Sequence, residues 1–302
     1  MTPGITRASG AVELQIIKLK IMTTPTPHNS DHIIHIKPQK GLQIIDFGEL
    51  RRYRDLLYFL VARNIKVKYK QTVLGGLWAV IQPFFMMVVF TLFFGKLAKI
   101  PSDGIPYPIF NYSAMVAWTY FSQAINQSGN SIVGESNLIS KVYFPRIMIP
   151  FASILSGLMD FFIAFAVLIC MMFYFQIYPT VMVVCVPFLI ILMVLASSGV
   201  GMVLAALNAK YRDIRYTIPF LVQFWMFATP IVYPASMIPE KYRLIYALNP
   251  MTGVIEGFRS VLLNTMEFPT DMIAMSFLVS LVLFILGLFY FKQVERFFAD
   301  VI

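Results

Sequence analysis

Four apolar runs dominate this chain: Leu77–Phe94, Ile147–Phe175, Val181–Leu207 and Met272–Phe291. A helix needs about 20 apolar residues to cross a hydrocarbon layer of roughly 30 Å, and these runs meet or nearly meet that length. Two weaker segments join them. Ile109–Ile125 carries Asn111, Ser113, Thr119 and Gln123, and Ile218–Tyr233 is short and interrupted by Pro230, yet neither holds a charge. The composition leaves no soluble surface to surround them: 58% of the 302 residues are hydrophobic and 13% charged, against about 25% charged in ordinary soluble domains. A soluble enzyme, a disordered chain and a fibre are excluded together. The expected fold is an all-α integral membrane protein with six transmembrane helices.

Basic residues orient the spans. Fourteen Lys and Arg fall on the side that holds Arg51–Lys70, the loops after spans 2 and 4, and the C-terminal end. Five fall on the other side: Lys96, Lys99, Lys241, Arg243 and Arg259. The positive-inside rule then puts both termini in the cytoplasm, and it accounts for the net charge of +9 without a nucleic-acid partner. Cys170 and Cys185 lie inside apolar runs, which argues against a disulfide framework or a Cys-based metal site. Residues 1–46 read as a flexible cytoplasmic tail with no signal-peptide h-region. Met22 is an alternative natural start, and His28, His32 and His35 read as solvated rather than metal-binding, because no cysteine or paired carboxylate accompanies them.

Three segments carry more than a span. Arg51–Gln71 is amphipathic, with Tyr53, Leu56, Leu57, Leu60, Val61 and Ile65 on one face and Arg51, Arg52, Arg54, Arg63, Lys66, Lys68 and Lys70 over the rest. Such a helix lies in the headgroup plane, where its cations meet anionic membrane lipid. Gly134–Arg146 predicts a short helix with Leu138, Ile139 and Val142 on its apolar face, stopped by Pro145. That is the shape of an element that docks into another protein. Pro234–Asp271 is long for a turn, and Pro239 and Asn249-Pro250 divide it into two short helices. Their apolar positions are Leu244, Ile245 and Leu248, then Val254, Ile255, Phe258, Val261 and Leu262. This predicts a re-entrant hairpin buried against protein, with Glu256 and Arg259 spaced to pair. Asp160 is the one acid inside a span. With no second acid, His or Lys in the spans to relay a proton, it reads as a bond to a neighbouring helix rather than a proton site.

No GxxxxGK[ST] loop occurs, so P-loop binding of ATP is excluded. No HExxH, nucleophile elbow or close acid pair appears on the water-facing loops, and catalysis by this chain is not expected. From about Phe47 onward the sequence resembles the permease subunit of ABC-2 type exporters of lipid-linked polysaccharide, the group that includes O-antigen, capsule and teichoic acid exporters. Three stretches carry the likeness: RNIKVKYKQTVLGGLWAVIQP (Arg63–Pro83), NLISKVYFPRIMIP (Asn137–Pro150) and NPMTGVIEGFR (Asn249–Arg259). Asn64 departs from the pattern, since the family often has Asp there, so no ion pair is expected at that position. The resemblance implies a transmembrane domain over 47–302 with an interface helix, six spans, a cytoplasmic coupling helix and two external re-entrant helices.

It also implies a homodimer in the bacterial inner membrane joined to two copies of a separate ATPase, which would hold ATP and magnesium, so this chain itself carries no cofactor. The cargo implied is a glycan on a polyprenyl diphosphate. Glu135, Asn137, Lys141, Pro145 and Arg146, with Leu138, Ile139 and Phe144, then become the coupling contacts to the ATPase. Arg63, Lys66, Lys68 and Lys70 become candidates for capturing the diphosphate head group, because Lys and Arg bind phosphate well. In span 5, Phe220, Gln223, Phe224 and Phe227 share one helical face, and Trp225 lies about 100° from Phe224. Span 1 offers Trp78, Gln82, Phe85 and Phe93. By pattern alone these read as lipid-facing or packing aromatics. The resemblance implies that spans 1 and 5 line the channel, where sugar C–H faces would pass over aromatic rings. A membrane glycosyltransferase would need an acidic cluster for metal or sugar nucleotide, and an ion-coupled transporter would need more buried charge. An ABC-2 exporter of drugs or small lipids is the nearest alternative.

Overall fold

The computed structural model describes residues 47–70, 75–179, 181–264 and 268–298. The proposed tail, its three histidines and Met22 lie outside them. Every regular element among the described residues is helical. Helices α1 (Phe47–Arg52) and α2 (Arg54–Lys70) make the amphipathic segment, jointed at Tyr53. A single 3-10 turn (Gly75–Leu77) leads into α3 (Trp78–Phe90), and a π-helical stretch (Thr91–Leu97) prolongs it. Next come α4 (Tyr107–Gly134), α5 (Ser136–Lys141) and α6 (Met148–Tyr174). A 3-10 turn (Val181–Cys185) precedes α7 (Val186–Lys210), and α8 (Ile214–Phe227) follows. The last elements are α9 (Glu240–Tyr246), α10 (Pro250–Leu263) and α11 (Thr270–Val294).

Four helical stretches among the described residues are long and apolar enough to cross a membrane: Gly75–Leu97, Met148–Tyr174, Val181–Lys210 and Thr270–Val294. These correspond to the four strong runs of the sequence. The two weak segments behave differently. The segment expected at 109–125 is the N-terminal part of α4, a 28-residue helix with 20 residues buried, about 42 Å long at 1.5 Å per residue. Its polar residues lower its hydropathy because protein, not lipid, surrounds most of it. The segment expected at 218–233 is helical only to Phe227. Pro230 has no N–H to continue the helix and pushes the residue before it towards extended backbone. At 14 residues, α8 spans only about 21 Å.

α4 is the hub, in contact with α3, α6, α7, α8 and α10. Its aromatic hydroxyls tie it to α6: Tyr112 Oη donates to the Ala164 carbonyl at 3.3 Å and Tyr120 Oη to that of Ile154 at 3.2 Å. On the other side Asn208 of α7 donates to the Gly129 carbonyl at 2.8 Å. The apolar face expected for the interface helix is the one that packs, with Tyr53, Leu56, Leu57, Leu60 and Val61 against Leu138, Met148 and Ala152. That face therefore meets protein, and the exposed apolar residues of α2 are instead Tyr58, Phe59 and Val67.

α7 and α11 approach most closely. A Cβ at Gly199 would stand 2.6 Å from the Leu283 carbonyl carbon, and Gly287 faces back onto Gly199. Small residues let backbones meet in this way, and in lipid such van der Waals packing replaces the hydrophobic effect as the force between helices. Ser197 and Ser198 return their hydroxyls to Met193 and Val194 of their own helix, at 2.8 and 2.7 Å, so they bring no orphan donor to the contact. Gly287→Val should separate the pair and cost about 1–3 kcal/mol, read as a lower thermal midpoint in detergent. Gly134→Ala, where an added Cβ meets nothing within 4 Å, is the control expected to be neutral.

Candidate functional site

Three helices enclose a groove of about 290 Å³. α4 supplies its floor with Thr119, Ser122 and Asn126, α3 one wall with Gln82, and α8 the other with Gln223. The floor was not picked out from sequence, although Thr119, Ser122 and Asn126 recur at the three-to-four spacing of one helical face. Of the predicted channel residues only Gln82 and Gln223 line the groove. Phe220, Phe224 and Phe227 are 72, 70 and 58% exposed, and Trp78 and Phe85 of α3 and Phe93 of the π-helical stretch that prolongs it are 54, 63 and 57% exposed. Trp225 does not belong with them. Its indole N–H donates to Asn249 Oδ1 at 3.0 Å and its ring meets Phe121 edge-on at 5.2 Å. A rotation of about 100° from Phe224 turns it into the protein, where its one donor finds a partner.

The basic face of α2 is divided. Lys66 and Lys70 are exposed. Arg63 is bound by both oxygens of Glu135, with Nη1 to Oε2 at 3.1 Å, and also donates to Asn64 Oδ1 at 3.3 Å. Asn64 itself makes no ion pair, as expected, while the neighbouring Arg63 finds its carboxylate 72 residues away. Lys68 pairs with Asp160, to which Tyr69 also donates through its hydroxyl. Asp160 is thereby bonded to the interface helix. Burial, reinforced by the adjacent Asp160 carboxylate, pushes the Tyr69 phenol well up from its ordinary value, so it remains a donor. Lys68 also reaches Gln123 Oε1 at 3.4 Å, and Gln123 donates to Gln82 Oε1 at 3.1 Å. A polar chain therefore runs from α2 to the groove.

The expected coupling segment, Gly134–Arg146, contains a helix of only six residues, α5, followed by extended backbone at Val142. Phe144 explains the early end, since it is seated in the buried cluster with Ile132, Ile139 and Ile147. Ile139 and Phe144 consequently face inward, Pro145 is buried and Leu138 half-buried. The surface that remains is made by Gly134, Asn137, Ser140, Lys141, Val142 and Tyr143. Arg146 is held internally. Its backbone N–H donates to Glu295 Oε1 at 3.2 Å and its Nη1 to the Glu295 carbonyl at 2.9 Å, while its guanidinium lies 6.0 Å from the Phe298 ring centroid. Glu135 is engaged by Arg63, as described.

At the opposite end of α4, Glu256 and Arg259 pair at 2.8 Å, both fully buried. Arg259 also donates to the carbonyls of Pro230 and Ile231 at 2.7 Å each, and lies 3.7 Å from the Phe110 ring centroid. Glu256 accepts from the Ala235 N–H at 3.2 Å. Asn249 caps α10, accepting from the Met251 N–H at 3.1 Å, and all 14 residues of α10 are buried. α9 is the reverse: Leu244, Ile245 and Leu248, expected to pack inward, are exposed. Among the described residues no group of three His, Cys, Asp or Glu could hold a metal ion. Arg259→Met should leave Glu256 buried without its cation and cost about 3–5 kcal/mol, seen as loss of monodisperse protein. Adding Glu256→Gln should recover part of it.

Comparison with known proteins agrees with this architecture. The ABC-2 type transporter family matches residues 55–263. The O-antigen export system permease protein RfbA of Myxococcus xanthus is 29% identical over 70% of this chain and 82% of its own length. The protein of the same name from Klebsiella pneumoniae is 26% identical over 82% and 95%. The polysialic acid transport protein KpsM of Escherichia coli is 24% identical over 68% and 80%.

Proposed function

We propose, because this chain belongs to the ABC-2 type transporter family, that it is the permease of an exporter carrying an O-antigen-like polysaccharide on a polyprenyl diphosphate. The observation that carries this is the groove between α3, α4 and α8. Its Thr119, Ser122, Asn126, Gln82 and Gln223 suit sugar hydroxyls. Its Met and Trp118 lining and the exposed Phe85, Phe220, Phe224 and Phe227 of the same two wall helices suit sugar C–H faces, and each residue of a glycan is held weakly and passed on. The O-antigen export relatives, at 26 to 29% identity, support this cargo over the capsule reading that the polysialic acid relative supports at 24%.

The chain works as a six-span integral membrane protein of the inner membrane with both termini in the cytoplasm. α8 is its short fifth span, and α9 and α10 form the external re-entrant hairpin. A groove open along one side is half a conduit, and a second copy of the chain closes it. Energy comes from two copies of a separate ATPase, which hold ATP and magnesium. They engage Asn137, Lys141, Val142 and Tyr143, solvent-facing residues of the segment whose Ile139, Phe144 and Arg146 brace it from within. Lys66 and Lys70 meet anionic lipid and the approaching carrier.

Changing Phe220, Phe224 and Phe227 singly to Ala should lower surface glycan several-fold at constant permease level. Cysteines at these positions should be shielded from a water-soluble thiol reagent by bound glycan. Untouched export, with cysteines reached only from lipid, would locate the conduit elsewhere. Lys141→Glu combined with Tyr143→Ala should leave the permease folded and abolish export-linked ATP hydrolysis. Normal export by this variant would remove the docking assignment.

A further inference from the structure

Behind α2 lies a cavity of about 460 Å³ between the interface helix, α4 and α6. Two cations of α2, Arg63 and Lys68, line it, together with Asn64, Gln127 and Glu135. Each cation is already satisfied by a carboxylate from a different helix: Arg63 by Glu135 at the end of α4, and Lys68 by Asp160 of α6. The serines of the wall add no donors. Ser131, Ser153 and Ser156 give their hydroxyl protons to their own helices, at 2.6, 3.2 and 2.8 Å. The donors facing this space are therefore the two cations and the amides.

We propose that this cavity is the binding site for the cargo's diphosphate, which takes Arg63 and Lys68 from Glu135 and Asp160. The site rests on the cargo reading above and gives it an address. A guanidinium binds phosphate in the same two-pronged geometry as carboxylate, so the exchange replaces one set of charge-assisted hydrogen bonds with another. Three of the four side chains reach solvent, Arg63 and Glu135 at 32 and 29% and Lys68 at 40% exposed, while Asp160, at 9%, retains the Tyr69 hydroxyl as a donor when Lys68 leaves. A resident anion keeps both cations satisfied while the site is empty, and a doubly phosphorylated head group outcompetes it by offering more charge and more acceptors at once. Lys68 also touches Gln123, which touches Gln82 on the groove wall. A head group held here thus sets its first sugars at the groove.

The exchange has a second effect. Glu135 is the residue on which α4 ends and α5 begins, and its carbonyl accepts the N–H groups of Leu138 and Ile139 at 3.0 and 3.1 Å. Releasing its side chain from Arg63 loosens the base of the coupling helix. Occupancy of the cavity is in this way reported to the surface that the ATPase reads.

The test is binding of polyprenyl diphosphate to the full chain in lipid nanodiscs, with polyprenol of equal length and inorganic pyrophosphate as separate arms. Lys68→Gln should weaken binding by on the order of tenfold. Asp160→Asn and Glu135→Gln should tighten it, because each removes a competitor and spares the cation. Two pairs that merely hold the helices together would give weaker binding in all three variants, and that result overturns the proposal. Pyrophosphate should compete and polyprenol should not; competition by polyprenol alone would mean that the lipid tail, not the diphosphate, is recognised here, and would also overturn it. If the neutral variants do not fold, the otherwise native chain carries the test. An environment-sensitive fluorophore on Ser140→Cys, with Cys170 and Cys185 replaced by alanine, should respond to polyprenyl diphosphate and not to polyprenol. No response overturns the link to α5. Absence of any binding by the native chain would instead bring down the cargo reading, whereas native binding with unchanged variants removes this site alone.

Discussion

Where α8 stops at Phe227, the chain must turn without helical hydrogen bonds, and the carbonyls of Pro230 and Ile231 are left to find other donors. Arg259 supplies them from a fully buried position, with Glu256 balancing its charge and the Phe110 ring beneath it. In an apolar surrounding each unmet backbone group costs several kcal/mol, so this guanidinium is what allows an irregular segment to sit against α4. Tyr107 and Asn111 of α4 add two more donors, to Val232 at 2.7 Å and Ile231 at 3.3 Å. The position of α8, and hence one wall of the groove, follows from that junction. So does the burial of α10, which presents both members of the pair one turn apart.

The strong spans could be read from sequence because apolar length is a local property. The Glu256–Arg259 pair could be read because a spacing of three fixes its geometry on any helix. The breaks at Pro239 and Asn249-Pro250 were equally local. Asp160 could be recognised as a buried acid needing a neighbouring helix, but not as the partner of Lys68 and Tyr69, which lie 92 and 91 residues away. The same limit applies to Arg63 and Glu135. Helical periodicity says which residues share a face and not what that face meets. Ile139 and Phe144 therefore looked available to a partner and are buried at home, while Leu244, Ile245 and Leu248 looked like core and are exposed. The polar floor of the groove escaped notice because, in a span, scattered Thr, Ser and Asn first register as weak hydropathy.

Two ion pairs of the helical body set a cation on one helix against an acid from another, unlike Glu256 and Arg259, which pair within α10. Arg63 joins α2 to α4, and Lys68 joins α2 to α6. Removing one partner from such a pair costs more than the pair contributes, since an unmatched charge is left behind. Pairs of this kind fix register between helices whose apolar faces would otherwise slide. They also confine rearrangement to steps that exchange one anion for another.

The bracing of the coupling segment by Glu295 and Phe298 bears on how the protein is made. Arg146 waits for a partner 149 residues downstream, which at a synthesis rate of about 5–20 residues per second is a delay on the order of ten seconds. During that interval Phe144 and Ile139 lack Phe291, Val294 and Phe298, and the segment is without that side of its packing. A half-made chain thus offers a poor seat to any docking protein. The bracing of this segment is complete only after α11 and the residues that follow it have been made.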